Sequence, residues 1–158
     1  MIRRNLIARK SLLTLLLMSF AATVPGYFAA PTPAVAQQAS LYKRLGGYDA
    51  LAAVTDDFIG RLATDPQEGR FFKGLSTDSQ KRIRQHVVDF LCSATGGPCI
   101  YTGRDMKTAH TGLGITEDDW NISVKALVAT LDKFKVPEKE KSEVLGAISG
   151  LKGDIVGH

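Results

Sequence analysis

The chain has 158 residues, 44% hydrophobic and 23% charged, with a formal net charge of +4. That length suits one domain with a real core, and two cysteines with no Cys-x-x-Cys pair speak against thiol–disulfide catalysis and a zinc knuckle. The charge excess lies in the first ten residues, and beyond them 16 basic residues face 16 acidic ones, which excludes an electrostatic footprint for nucleic acid.

Arg3, Arg4, Arg9 and Lys10 precede an apolar run of about 13 residues, Leu12 to Val24, which Pro25-Gly26 breaks. Ala34-Val35-Ala36 then offers the small-x-small pattern of a signal-peptidase site. The run is short for a bilayer span, and no cysteine is present to carry a lipid. Residues 1–36 therefore read as a cleaved export signal rather than a membrane tether. Residues 37–158 read as a single domain in an exported, periplasmic setting.

From there the pattern is helical. Ser40 to Leu45 makes a short turn stopped by Gly46-Gly47. A helix over about Tyr48–Thr64 places Leu51, Val54, Phe58 and Leu62 on one face, and Asp65-Pro66 ends it. Phe71-Phe72 follows in a short connection that is too apolar for an ordinary loop. A third helix, about Thr77–Ala94, carries Ile83, His86, Val87, Phe90, Leu91 and Ala94 on its apolar stripe and stops at Gly96-Gly97. Seven residues separate Cys92 from Cys99 across that break. A disulfide forms if the turn brings their Cα atoms within roughly 7 Å; otherwise they are two buried thiols.

Residues 98–115 are irregular, with one helical stretch around Asp105–Thr111. Thr116-Glu117-Asp118-Asp119 looks like a capping box opening a helix with Trp120, Val124, Leu127, Leu131 and Phe134 inward. Pro137 starts a last helix carrying Val144, Leu145, Ile148, Leu151 and Ile155. The fold class is all-α. Only two histidines are interior, His86 and His110, each on an apolar helical stripe. By default such residues are satisfied core side chains, and the sharper reading is a pair holding a metal or a metallated macrocycle.

Several motifs in order resemble the group I truncated haemoglobins. They are Leu41-Tyr42-x-x-Leu45-Gly46-Gly47, Asp57-Phe58, Phe71-Phe72, Gly96-Gly97-Pro98, Tyr101-Thr102-Gly103-Arg104-Asp105-Met106 and His110-x-Gly112-x-Gly114-Ile115-Thr116. The resemblance spans about residues 40–156. It implies a two-over-two helical sandwich around one non-covalent haem b, with His110 as the proximal iron ligand. Phe58, Phe72, Met106 and Trp120 would lie against the macrocycle, and Tyr101, Arg104 or Lys107 would reach its propionates.

One departure from the family pattern matters. Where oxygen-binding members often carry a tyrosine and a glutamine, this chain has Ile59 and Val87, with Ile83 beside them. His86 stands where some members carry a distal histidine. It is expected either to coordinate iron or to donate to bound ligand, an interaction of about 1.5–3 kcal/mol. The resemblance implies reversible binding of dioxygen or another diatomic gas. The alternatives are electron transfer or redox sensing through two axial histidines, nitric oxide dioxygenation with a reductase, and peroxidase-like turnover.

Overall fold

Capping residues set where the helices begin. In the computed structural model, which describes residues 38–158, Ser40, Ser76, Asp105 and Thr116 each accept a hydrogen bond from a backbone N–H three residues on. The helices they open are α1 (Leu41–Arg44), α3 (Thr77–Ala94), α4 (Met106–His110) and α5 (Glu117–Lys133). The others are α2 (Gly47–Thr64), α6 (Glu138–Ser149) and α7 (Lys152–Ile155). No strand occurs among the described residues, and none of their helices is long and apolar enough to cross a membrane. The export signal read from residues 1–36 lies outside the described residues.

Three expectations change in detail. Phe71 and Phe72 do not lie in an open connection, because Glu68–Phe71 winds into a 3-10 turn started by Asp65, whose Oδ1 accepts from the N–H groups of Gln67 (2.8 Å) and Glu68 (3.0 Å). The last helix is not continuous. It breaks at Gly150-Leu151 into α6 and α7. The dry face of α3 is Val88 and Cys92, both 0% exposed, followed by Thr95, whereas Ile83 and Ala94 at the ends of the expected stripe are exposed.

Val54, Leu127, Leu131 and Val144 form the central apolar cluster, with Leu41, Leu45, Phe58, Val136, Leu145 and Ile148 packed against it. Burying each such aliphatic side chain contributes about 2 kcal/mol. α2 packs on α3 and α5, α5 on α6, and α4 on α7, giving the two-over-two helical arrangement. Asp57 on α2 ties the layers, accepting from Arg61 Nε (2.7 Å), from Thr130 Oγ1 on α5 (2.9 Å) and from Lys133 Nζ. Those cations hold its carboxyl well below the usual carboxylate range.

A second carboxylate does the same at the other end of α5. Asp119, fully buried, accepts from the Thr116 backbone N–H (2.8 Å), Thr116 Oγ1 (2.7 Å), Gln67 Nε2 (2.6 Å) and Arg70 (2.6 Å). It therefore closes the α5 capping box and anchors the 3-10 turn ahead of Phe72. Arg70 also lies over the Phe71 ring, 4.2 Å from its centroid. Glu68 shares this buried corner at 5% exposure, with Oε1 lacking any partner. Burial and the neighbouring Asp119 charge push it up to about 7, against the opposing pull of Arg70.

α3 ends in a paired 6→1 and 5→2 hydrogen-bond motif. Gly97 N–H donates to Cys92 O (2.8 Å), Gly96 N–H donates to Ser93 O (3.1 Å), and Gly96 sits at φ +80°. A Cβ on Gly97 would lie 2.6 Å from Tyr42 Cδ2 and 2.7 Å from Cys92 Sγ. This tight return joins Cys92 to Cys99 in a disulfide, with Cα atoms 5.7 Å apart. Of the two states open from sequence, the structure has the crosslinked one.

Two stability measurements follow. Replacing both cysteines by serine removes a short-loop constraint on the unfolded chain, so the urea-unfolding free energy should fall by about 2 kcal/mol, read from the midpoint. For Glu68 the folded chain holds its proton more tightly than the unfolded one. Stability should therefore fall as pH rises from about 4.5 through about 7. Glu68→Gln should raise stability by about 2 kcal/mol at pH 8 and much less at pH 5, compared by denaturation at the two pH values.

Candidate functional site

His110 is the last residue of α4, a five-residue helix that could not persist alone. Its start is fixed by Asp105, which accepts from the Thr108 N–H (2.8 Å) and Thr108 Oγ1 (2.7 Å); these bonds hold the Asp105 carboxyl below its ordinary range. Its body rests on α7, and the segment after it is pinned where Gly157 N–H donates to Ile115 O (3.0 Å). The half-buried imidazole of His110 places Nδ1 2.7 Å from Met106 O, one turn back. A carbonyl only accepts, so Nδ1 carries a proton, and in the neutral ring Nε2 is the nitrogen with the lone pair. That is the tautomer of a metal-binding histidine whose second nitrogen is held by the backbone.

His86, half-buried on α3, has a buried Nδ1 with no hydrogen-bond partner. An orphaned buried nitrogen costs about 1–3 kcal/mol and marks a group awaiting a partner. One turn earlier on the same face, Ile83 joins Ile59 of α2 and Phe72 in lining a cavity of about 430 Å³, together with Pro66, Gly69 and Gln80. Lining this cavity is why Ile83 is 36% exposed although it sits on an apolar stripe.

The remaining sequence-read positions divide. Val87 is half-buried beside fully buried Val88. Phe58 turns toward the Val54–Leu127–Leu131–Val144 cluster, so it belongs to the core between α2, α5 and α6. Trp120 is 8% exposed at the start of α5, and Met106 is half-buried. Arg104 and Lys107 are exposed cations flanking the start of α4. Tyr101 is otherwise engaged: its hydroxyl donates to Arg104 O (2.6 Å), and its ring meets those of His86 (centroids 6.1 Å apart) and Phe90 (5.3 Å) edge-on.

Sequence reasoning named Asp119 in a capping box and Asp57 in a motif but missed their cross-helix bonds, and it missed Glu68. The Asp57–Arg61 pair at i, i+4 was legible in one helix, and Asp119 was legible as a cap. Their cross-helix partners, 73 residues away for Thr130 and 49 for Arg70, leave no local signal.

Residues 40–156 match the model of the bacterial-like globin family. Among curated relatives, the group 1 truncated hemoglobin GlbN of Mycolicibacterium paratuberculosis is 38% identical over 120 residues, covering 76% of this chain and 86% of that protein. The GlbN of Nostoc sp. (strain MUN 8820) is 32% identical, covering 74% and 97%. The Fe(III) truncated hemoglobin of Tetrahymena pyriformis superposes with a TM-score of 0.69 at 28% identity, covering 76% of this chain and all of that one. The same figures hold for the 2/2 hemoglobin of Synechococcus sp. PCC 7002, solved in the cyanomet state with covalently attached heme. With its all-helical two-over-two architecture, the chain belongs to the group I truncated haemoglobins, gas-binding globins that carry haem b.

Proposed function

We propose that this globin reversibly binds dioxygen at a haem whose iron is held by His110, with His86 as the polar side chain at the opposite axial position. The observation that carries the reading is the His110 Nδ1–Met106 carbonyl bond, which leaves Nε2 as the free donor on a helix fixed at both ends. When bound, haem supplies an iron with one axial position open to a diatomic gas. The chain's residues fit that group. Ile59, Phe72 and Ile83 give one cavity an apolar wall, and Arg104 and Lys107 are exposed cations suited to carboxylates.

Ile59, Ile83 and Val87 have no polar hydrogen to donate, and Gln80, one turn before Ile83, already donates to Leu75 O, which leaves the half-buried His86 as the polar candidate on α3. Its unpartnered Nδ1 supports a role facing the iron side. The crosslink between Cys92 and Cys99 supports the export reading of residues 1–36, since such bonds persist in oxidising compartments such as the periplasm.

His110→Ala should abolish stoichiometric retention of added hemin, followed by the Soret band after gel filtration, and added imidazole should restore the ferrous spectrum. Retention of an axially unaltered haem overturns the assignment. His86→Leu should change the ferrous spectrum without ligand or raise the dioxygen dissociation rate about ten- to a hundredfold. Neither changing removes His86 from the site. Intact mass of the exported protein should begin at Gln37, and a periplasmic fraction without the protein counts against export.

A further inference from the structure

His86 does not stand alone against the iron side; it is held from behind. Tyr101 reaches it from the irregular segment between α3 and α4, and three independent features of that segment fix the tyrosine. The Cys92–Cys99 crosslink ties the start of the segment to the fully buried end of α3, two residues before Tyr101. The tyrosine hydroxyl donates to Arg104 O at 2.6 Å, closing a small loop over residues 101–104. Gly103 lies directly beneath the ring: a Cβ there would fall 2.6 Å from Cε2 and closer still to Cζ and Oη. The ring, so held, presents its aromatic system to two side chains one helical turn apart on α3. Phe90 meets it at 5.3 Å and 75°, and His86 at 6.1 Å and 80°. Both are edge-to-face geometries of the favourable kind.

We infer that Tyr101 is a positioning residue for His86: the crosslinked 99–104 loop fixes the imidazole orientation, and so sets how readily His86 meets the haem's sixth axial position. The physical reason is that a half-buried imidazole whose Nδ1 has no hydrogen bond has nothing polar to define its rotation. Tyr101 and α3 itself define it instead. A preorganised ring gives up little rotamer freedom when it acts, and an unclamped one gives up more. A hydroxyl already committed to Arg104 makes this role independent of any contact between Tyr101 and a propionate.

The inference rests on the reading of His86 as the residue at that axial position, and the test separates the two. The experiment compares haem-loaded wild type, His86→Leu, Tyr101→Ala and Tyr101→Phe. The readouts are the ferrous spectrum without ligand, carbon monoxide association and dioxygen dissociation. Tyr101→Ala should move these readouts in the same direction as His86→Leu, by about three- to tenfold, with the haem still retained through His110. Tyr101→Phe keeps the ring and should stay within about twofold of wild type, a rescue that a hydroxyl–propionate role would not give. If His86→Leu differs from wild type and Tyr101→Ala does not, the positioning role falls and the axial reading stands. If His86→Leu matches wild type in every readout, both fall. Should Tyr101→Ala fail to fold, Tyr101→Leu takes its place, keeping an apolar side chain of similar reach without the aromatic face.

Discussion

One hydrogen bond decides what this globin can hold. The Met106 carbonyl accepts a hydrogen bond from His110 Nδ1–H, which in the neutral imidazole leaves Nε2 with the lone pair. A side chain on a five-residue helix has little intrinsic reason to stay in one place. The Asp105 cap, the packing of α4 on α7 and the Gly157–Ile115 bond supply that reason from outside the helix. The two short helices depend on each other, and the position of His110 is as firm as their contact.

The cavity lined by Ile59, Phe72 and Ile83 is built on another principle. Ile59, Phe72 and Ile83 come from three segments, brought together by the buried Asp119 and the half-buried Asp57, neither of which lines the cavity. Asp119 fastens the 3-10 turn that leads into Phe72 to the first turn of α5, and Asp57 fastens the middle of α2, just before Ile59, to the end of α5. Breaking either set of bonds strands a buried negative charge, so each carboxylate is costly to disturb. The site's apolar surface thus owes its shape to ionic anchors that do not line it.

Much of this was legible beforehand, for identifiable reasons. Helix starts showed themselves because Ser, Asp and Thr caps act within four residues, and the interior of α5 because Leu127 and Leu131 repeat at helical spacing. His110 stood out as a candidate ligand from the order of motifs around it. Legibility failed where a residue's role is set by something distant in sequence. Ile83 was placed both on an apolar stripe and beside a pocket, and it lines a cavity; Phe58, read on the inner face of α2 and against a macrocycle, packs on the α2–α5–α6 cluster; and nothing local foretold that the ring of Tyr101 lies against His86. Apolar periodicity says that a face is covered, not by what. The Cys92–Cys99 pairing stayed open for the same reason, since it depends on how tightly Gly96-Gly97 turns back, and that in turn on how closely Tyr42 approaches.

The placement of α1 has a consequence for the order in which this polypeptide closes as it is made. Arg44 finds its partners in Glu140 and Glu143, 96 and 99 residues further along, and the Tyr42 N–H waits for the Thr95 carbonyl. The first of the described helices therefore packs early on α2 but completes its polar contacts late. Only when the penultimate helix has emerged can the ion pairs that fasten Arg44 close.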